Sequence, residues 1–310
     1  MRKIIIEVKN LSKKYKKQAA VKDVSFNVFE GEIFSMLGSN GAGKTTTINM
    51  LNTLIKPTSG QVLINGHDLM QESEAIRKEI SVTGQFASLE EELTGYENLS
   101  LLGKLNHIEP KKLKSRIAEL LKEFDLENAA NKLVKEYSGG MKRRLDIAAS
   151  LLSSPKILFL DEPTTGIDPQ NRIKLWQMIK KIAKEEKMTI FLTTQYLEEA
   201  EYLADFVVIM NNGSIIEKGT VQRLKNSYEQ QTVELLFETI TEEAVFELLQ
   251  VTKGSYDKEK QLLSFQTADK SRDLHHVFAI LAEKQVQLED LFVKEPRLED
   301  VYLDVIKKGA

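Results

Sequence analysis

The sequence predicts an α/β protein whose main domain holds a parallel β-sheet covered by helices on both faces, followed by a small α+β domain. Three short apolar runs, at residues 33–37, 157–160 and 189–192, have the composition of buried strands and are separated by helical patterns. Continuous apolar strands that alternate with helices are typical of parallel sheets, because both faces of such a sheet are covered. A polar, turn-prone segment at 226–232 then marks a change of composition and predicts a linker.

The segments around these strands complete the main domain. Residues 4–8 and 24–28 alternate apolar and polar side chains, which predicts half-exposed antiparallel strands. Residues 96–152 predict a block of helices, one beginning at Pro110, which suits a first helical position, and one following Ser138. Apolar side chains fall on one face of each helix, namely Leu113, Ile117, Leu120, Leu121 and Phe124 in the first and Leu145, Ala148, Ala149 and Leu152 in the second.

Shorter strand and helix patterns alternate beyond the linker. They predict strands at 233–237, 262–265 and 286–292 and helices at 242–249, 271–283 and 298–306. The predicted domains are therefore residues 1–226, with a helical subdomain at about 86–152, and residues 227–310.

Composition and charge exclude several classes of function. The 310 residues include 43 basic and 46 acidic side chains, a formal charge of −3, which argues against a strongly basic nucleic-acid binder. Cysteine is absent, which excludes disulfides, zinc fingers and thiol nucleophiles. No secretory leader is expected, and no window approaches the roughly 18 apolar residues that a spanning helix needs. We therefore expect a cytoplasmic protein that could act at a membrane only through a partner.

A glycine-rich segment between the first apolar strand and a helix predicts a phosphate-binding loop. Residues 38–45 fit the P-loop pattern at every fixed position. With the residue that follows, they are Gly38, Ser39, Asn40, Gly41, Ala42, Gly43, Lys44, Thr45 and Thr46. Glycines allow backbone N–H groups to turn towards a phosphate, and the helix beginning near Lys44 presents its positive end. Lys44 supplies a charge for the β- and γ-phosphates, and Thr45 offers a hydroxyl to Mg²⁺. The alternative is a glycine-rich turn without a ligand.

Two adjacent acids end the second apolar strand. Asp161 and Glu162 follow residues 157–160, and alternation along a strand points their carboxylates in different directions. We assign Asp161 to the metal ion and Glu162 to the general base that positions the attacking water. Such a pair alone would be an ordinary strand end. Together with a phosphate loop it predicts a nucleoside triphosphatase.

A second candidate anion site precedes a helix 94 positions after Lys44. Ser138, Gly139 and Gly140 would present a hydroxyl and backbone amides at the helix start. One active site has little use for two such cradles, whereas two copies facing head to tail would use both. On the simpler interpretation, Ser138 is only a helix N-cap.

The phosphate loop, the Ser138 segment and the Asp161–Glu162 pair, in this order and spacing, resemble the ATP-binding cassette (ABC) family over roughly residues 1–226. The resemblance implies ATP and Mg²⁺ as ligands and a pair of cassettes, in which Ser138 and Gly140 of one copy contact the γ-phosphate held by Lys44 of the other. It also implies a mixed central sheet with an antiparallel β subdomain and a helical subdomain.

Further positions match the family one by one. Tyr15 corresponds to the aromatic residue that stacks on adenine, although by pattern alone it would be a buried strand-end tyrosine. Gln85 stands where the family's glutamine contacts Mg²⁺ and the attacking water. Asp168 belongs to the segment that communicates between the two nucleotide sites. All three are expected at the site because of the resemblance.

One position departs from the family pattern. A histidine that contacts the γ-phosphate commonly follows the strand ending near Thr194, and this chain has Gln195 there. A glutamine amide can donate a hydrogen bond to a phosphate oxygen but does not titrate near neutral pH. We expect Gln195 to keep the hydrogen-bonding role in catalysis.

Three segments narrow the resemblance to the daunorubicin-resistance type of ATP-binding subunit: residues 84–99, 193–200 and 298–303. Subunits of this type belong to bacterial drug and antibiotic exporters, carry an accessory C-terminal domain, and work with a membrane permease on a separate chain. The resemblance then implies a homodimer at the inner face of the membrane, with Phe86 and Leu89 as candidate docking residues. Core packing is the equal alternative for those two. For the whole chain, the alternative is a non-transport ABC ATPase with a regulatory or assembly role.

Overall fold

The computed structural model describes residues 2–16, 18–84, 89–227 and 231–308. The chain divides into two compact units, the first ending at Val221 and the second comprising Gln222–Lys308. The strands of the first unit are β1 (Ile4–Tyr15), β2 (Gln18–Phe29), β3 (Ile33–Leu37), β4 (Ser59–Ile64), β5 (His67–Asp68), β6 (Ile80–Thr83), β7 (Ile157–Asp161), β8 (Thr189–Thr194), β9 (Phe206–Asn211) and β10 (Ser214–Gly219). Its helices are α1 (Lys44–Leu51), α2 (Ser73–Glu79), α3 (Gly95–Leu105), α4 (Pro110–Glu123), α5 (Gly139–Ser150), α6 (Pro169–Glu185) and α7 (Leu197–Leu203).

Helix α8 (Val221–Asn226) crosses the division between the units. The second unit then contains strands β11 (Gln231–Phe237), β12 (Ser255–Asp257), β13 (Leu262–Thr267) and β14 (Leu288–Lys294), and helices α9 (Glu242–Thr252), α10 (Lys270–Glu283) and α11 (Leu298–Lys308).

The central sheet of the first unit has the strand order β10–β9–β3–β8–β7–β6. All its neighbours run parallel except the edge pair β9–β10, which is antiparallel. Every residue of β3, β7 and β8 is buried, as their uninterrupted apolar sequences predict. This arrangement confirms the predicted α/β fold and brings the carboxyl ends of β3, β8 and β7 side by side.

An antiparallel sheet accompanies the central one, with the order β2–β1–β4–β5. The buried residues of its long strands share one apolar core with β3 and α1. Four aromatic rings meet in this core, Phe26, Phe34, Phe159 and Phe191, with centroids 5.0 to 6.0 Å apart. This packing ties the antiparallel strands to the central sheet.

The helical block comprises α3, α4, α5 and two short 3-10 turns. A capping box at Thr94 begins α3, and Pro110 occupies the first turn of α4, as predicted. The predicted apolar face of α4 is buried, together with Leu145 and Ala148 of α5. Helix α5 ends at Ser150, so Leu152 lies in the turn beyond it.

The second unit is a four-stranded antiparallel sheet with the order β12–β13–β11–β14. Helices α9 and α10 contribute Leu248, Val277 and Leu281 to its core. Several predicted boundaries differ from those of the structure. The linker predicted at 226–232 is shorter, because Gln231 and Thr232 pair with Thr267 and Gln266 in the sheet despite their polar side chains, and β14 begins at Leu288 rather than at residue 286.

Within the described ranges, we find no helix whose length and apolar character would let it cross a membrane.

Candidate active site

The glycine-rich loop joins β3 to α1 and folds back on its own lysine. Gly43 has a φ of +105°, and a Cβ there would lie 2.6 Å from the carbonyl oxygen of Ala20, so glycine alone fits. The side chain of Lys44 is only 3% exposed. Its ammonium donates to the carbonyl oxygens of Gly38 at 2.8 Å and Ser39 at 3.1 Å. The loop therefore holds a buried positive charge at the start of a helix.

Both strand-end acids face this loop. Asp161 accepts hydrogen bonds from the hydroxyls of Thr193 and, at 3.4 Å, Thr45. Burial raises the pKa of the Asp161 carboxyl, and the neighbouring charge of Glu162 acts in the same direction. Glu162 lies with Oε1 3.4 Å from the Lys44 ammonium and accepts at Oε2 from Thr165. The structure thus brings Lys44 next to the adjacent acids Asp161 and Glu162, although the loop and the acid pair are far apart in sequence.

Glu162 has an unusual backbone conformation. Its φ is +48°, in the left-handed region, which costs a non-glycine residue about 1–2 kcal/mol. Its amide nitrogen donates to the backbone oxygen and to the hydroxyl of Thr193, both at 3.1 Å. Left-handed residues persist where the surroundings determine them, and they cluster at functional sites. Here the turn aims the carboxylate at Lys44.

A cavity of about 410 Å³ opens in front of these groups. Glu162 and most of the phosphate loop line it, the loop residues being Asn40, Gly41, Gly43, Lys44, Thr45 and Thr46. Tyr15, Gln18 and Ala20 also line it. Sequence analysis missed Gln18 and Ala20, and nothing in their chemistry could have indicated them. The close approach of Ala20 to Gly43 makes this part of the hairpin a wall of the cavity.

Tyr15 is the last residue of β1, with a ring that is 49% exposed. The Lys13 ammonium lies 5.2 Å from the ring centroid, within the range of a cation–π contact. The exposed ring at the cavity is available for stacking, and the interpretation as a buried core tyrosine was wrong.

The Ser138 segment lies elsewhere. Ser138 is the N-cap of α5, and its hydroxyl accepts from the Met141 amide at 3.2 Å. Ser138 and Gly139 are exposed, whereas Gly140 is buried next to Asn171. Among the described residues that line the cavity, none belongs to this segment. Within one copy of the chain, the phosphate loop and the Ser138 segment therefore do not share a cavity.

Asp168 is also outside the residues that form the cavity wall. It is the N-cap of α6, accepting from the backbone amide of Asn171 at 3.1 Å and from its side chain at 2.7 Å. These hydrogen bonds lower the pKa of the Asp168 carboxyl, and the one from the Asn171 side chain has the larger effect. Gln85 and Phe86 lie outside the described residues, and Leu89 packs against the core of the helical block.

The Gln195 position adjoins the phosphate loop through the backbone. The amide of Gly38 donates to the carbonyl of Thr194 at 3.2 Å, and half-buried Gln195 follows directly. The guanidinium of Arg172 lies 4.4 Å from the ring centroid of Tyr196. The glutamine is thus placed on an anchored strand end close to the loop.

A buried acid near the site was missed by sequence analysis. Glu199 on α7 accepts hydrogen bonds from Trp176 and Thr164, both at 2.9 Å. Burial raises the pKa of its carboxyl above the ordinary value of 4.5, against the opposing effects of these bonds and of Arg172. The charge of Arg143 also interacts with it. These contacts connect the turn after Glu162 to the helix after Gln195, and no local sequence signal marks them.

Replacing Glu199 by glutamine is expected to remove a pH dependence of stability. A carboxyl with a raised folded-state pKa contributes stability that is complete below the unfolded-state pKa and is lost as pH rises through the folded-state pKa. The wild-type free energy of unfolding, relative to that of Glu199→Gln, should therefore fall as pH rises above 4.5. The fall should amount to about 1.4 kcal/mol for each pH unit that separates the folded-state pKa from the unfolded-state pKa. Urea unfolding at a series of pH values measures this difference, with exposed Glu198→Gln as control. A difference that stays constant with pH would contradict it.

The strand–loop–helix with its buried lysine, facing two strand-end carboxylates, defines a P-loop nucleoside triphosphatase. Residues 21–165 match the family model described as ABC transporter. The chain is 39% identical over 299 residues to the daunorubicin resistance ATP-binding protein DrrA3 of Streptomyces coeruleorubidus, covering 96% of this chain and 94% of that protein. It is 33% identical to the linearmycin resistance ATP-binding protein LnrL of Bacillus subtilis (strain 168), covering 97% and 98%.

Solved structures agree with this assignment. CbiO1 from Clostridium perfringens, part of an ABC transporter complex, superposes with a TM-score of 0.66 at 29% identity, covering 70% of this chain and 89% of that one. A dimeric ATP-binding cassette in a post-hydrolysis state with ADP and Pi gives a TM-score of 0.63 at 29% identity, covering 69% and 98%.

The chain therefore belongs to the ABC transporter family, and it is an ATPase that binds ATP. The predicted resemblance to the daunorubicin-resistance type is confirmed, and the non-transport alternative is not favoured.

Proposed function

We propose that this chain is the ATP-hydrolysing subunit of a bacterial exporter that expels a drug, an antibiotic or a lipid-like compound through a separate membrane subunit. The observation that carries the proposal is the buried pair of Lys44 and Glu162 at one cavity, with buried Asp161 beside Thr45 of the same loop, in a chain similar over nearly its whole length to drug-resistance ATP-binding proteins. The substrate class comes from those relatives. The motor function rests on the site itself.

Lys44 and Glu162 change partners when ATP binds. In the structure Lys44 has Glu162 as its ion-pair partner. A triphosphate in the loop competes for the same ammonium, because several phosphate oxygens carry more charge than one carboxylate. Glu162 is then free to orient a water molecule for in-line attack on the γ-phosphate. Tyr15 stacks on the adenine at the open side of the cavity.

The residues around Asp161 fit a magnesium ion. Thr45 and Asp161 supply a hydroxyl and a carboxylate oxygen that lie together, which are ligands suited to Mg²⁺, and Gln85 is the further expected ligand. When bound, the ion neutralises charge on the phosphate oxygens. Burial raises the pKa of the Asp161 carboxyl, and a bound cation would oppose this by favouring the ionised form.

A second copy of the chain completes each site. Ser138 and Gly139 at the start of α5 are exposed and separate from the cavity of their own chain, so the Ser138 hydroxyl and the Gly139 amide are available to a γ-phosphate held by a partner. The amide of Gly140, the expected further contact, follows directly in the same helix start. Asp168, near the start of α6, then stands between the two sites. ATP closes this dimer and hydrolysis opens it, because ADP lacks the γ-phosphate contact.

We place the dimer at the cytoplasmic face of the membrane, bound to an integral permease, with no nucleic-acid partner. Residues 1–226 form the motor domain, and Phe86 and Leu89 are its candidate residues for docking on the permease. Residues 227–310 aid assembly. Co-expressing the chain with a candidate multi-span permease, sought first in the neighbouring reading frames, tests this: both should co-purify and reduce cellular accumulation of doxorubicin. Loss of both effects with wild-type protein would overturn the exporter assignment.

Gln195→Ala is expected to lower the rate of ATP hydrolysis strongly, by about tenfold or more. The amide that donates to the γ-phosphate is lost, while Lys44 and Glu162 stay in place. Phosphate release under saturating ATP measures the effect, and Gln195→His, which keeps a donor, is the matched variant. Wild-type turnover in Gln195→Ala would remove the proposed contact.

A further inference from the structure

Arg143 packs behind the turn that carries Glu162. It stands on α5, five residues after Ser138, and is 7% exposed. Its guanidinium donates to three backbone carbonyls: Nε to Pro163 at 2.8 Å, Nη1 to Gly84 at 2.5 Å and Nη2 to Asp161 at 3.3 Å. An ion pair with Asp146, one turn further along the helix, fixes the guanidinium from the other side.

Two of the three carbonyls belong to the turn that carries Glu162, and the third belongs to Gly84, which follows strand β6. Asp161 and Pro163 flank Glu162 directly, so Arg143 holds the peptide groups on both sides of the left-handed residue. Thr193 in turn accepts a hydrogen bond from the amide of Glu162. Gly84 ends the described segment that precedes Gln85. One side chain therefore fixes the backbone of the general base and the chain before the expected metal ligand.

We propose that Arg143 is a positioning residue for ATP hydrolysis, which acts through Glu162 by holding its backbone turn in the conformation that aims the carboxylate. This inference rests on the proposed role of Glu162 as general base. It depends on the planar, forked arrangement of the guanidinium, since a single ammonium cannot donate to three carbonyls in these directions. The described hydrogen-bond partners of Arg143 are Pro163, Gly84, Asp146 and Asp161, and none of them lines the nucleotide cavity. A substitution of Arg143 should therefore affect the hydrolysis step rather than ATP binding.

Arg144 provides a matched control on the same helix. It is 8% exposed, and its guanidinium donates to the carbonyls of Phe124 and Asp125 in the helical block. Arg144→Lys thus weakens a buried arginine of similar exposure without touching the turn of Glu162. A general effect of disturbing α5 would appear equally in both variants.

The test measures ATP turnover by wild type, Arg143→Lys and Arg144→Lys. Arg143→Lys should lower kcat at least about tenfold with KM for ATP unchanged, because small displacements of a catalytic group are costly, and Arg144→Lys should keep kcat. In a Glu162→Gln background, Arg143→Lys should cause no further loss, since there is no general base left to position.

Three results would overturn the inference: unchanged kcat in Arg143→Lys, an equal loss in Arg144→Lys, or a further loss in the Glu162→Gln background. Circular dichroism at the assay temperature checks folding. If Arg143→Lys does not fold, Arg143→Gln replaces it with the same expectations. An inactive wild type would instead count against the proposed function, so the two failures are distinguishable.

Discussion

Glu162→Gln is expected to stop ATP turnover while leaving ATP binding intact. Removing a general base typically lowers a rate about 10²- to 10⁴-fold. The amide keeps the shape of the side chain and the hydrogen bond from Thr165, but it cannot take a proton from water. It also removes the negative charge that competes with ATP for Lys44, so nucleotide affinity should hold or increase. Phosphate release and equilibrium binding of radiolabelled ATP measure the two quantities separately.

Glu198→Gln is the control for that substitution. It makes the same chemical change at an exposed position on α7 and should leave turnover unchanged. The assignment of Glu162 fails if Glu162→Gln keeps more than a small fraction of the wild-type rate, or if it loses ATP binding together with turnover.

Lys44→Ala should abolish ATP binding under conditions where the wild type is saturated. Each hydrogen bond to a charged group contributes about 1.5–3 kcal/mol, and 1.4 kcal/mol corresponds to a factor of ten in Kd. Two phosphate contacts therefore predict a loss of at least about 100-fold. The substitution also removes the ammonium that now donates to the carbonyls of Gly38 and Ser39.

Isothermal titration with MgATP measures this affinity. Lys14→Ala removes an exposed lysine next to Tyr15 and should bind ATP as wild type does, which excludes a general effect of charge. If Lys44→Ala bound ATP with an affinity within about threefold of wild type, the loss would be far smaller than the removal of one charged hydrogen bond predicts. That result would show that the phosphates do not bind at Lys44.

The buried strands and the phosphate loop could be predicted because their signals are local. The uninterrupted apolar sequences of β3, β7 and β8 follow from burial on both faces, and the loop's glycines follow from backbone geometry. The pairing of a phosphate loop with two strand-end acids, and the resemblance of these motifs to the ABC family, then indicated that Lys44 and Glu162 serve one site. Family resemblance supplied Tyr15, whose pattern alone favoured a buried residue.

The remaining features depend on contacts between distant segments. Ala20 closes over Gly43 only because the first hairpin packs there, and Arg143 reaches Gly84 and Pro163 across the fold. Glu199 lies in a short helix whose sequence gives no sign that this acid is buried. Its burial depends on contacts with other segments, including Trp176 on another helix. Periodicity and motifs carry no information about such pairings.

The most direct test of the shared nucleotide site compares Glu162→Gln with Glu162→Gln/Ser138→Asp by analytical ultracentrifugation and ATP binding. Aspartate keeps the N-cap of α5 but sets a negative charge against a partner's γ-phosphate. With MgATP, we expect the single variant to sediment as a dimer and the double variant as a monomer that still binds ATP. A double variant that dimerises as well as the single one, or that loses ATP binding as a monomer, would contradict a site built from two copies of the chain.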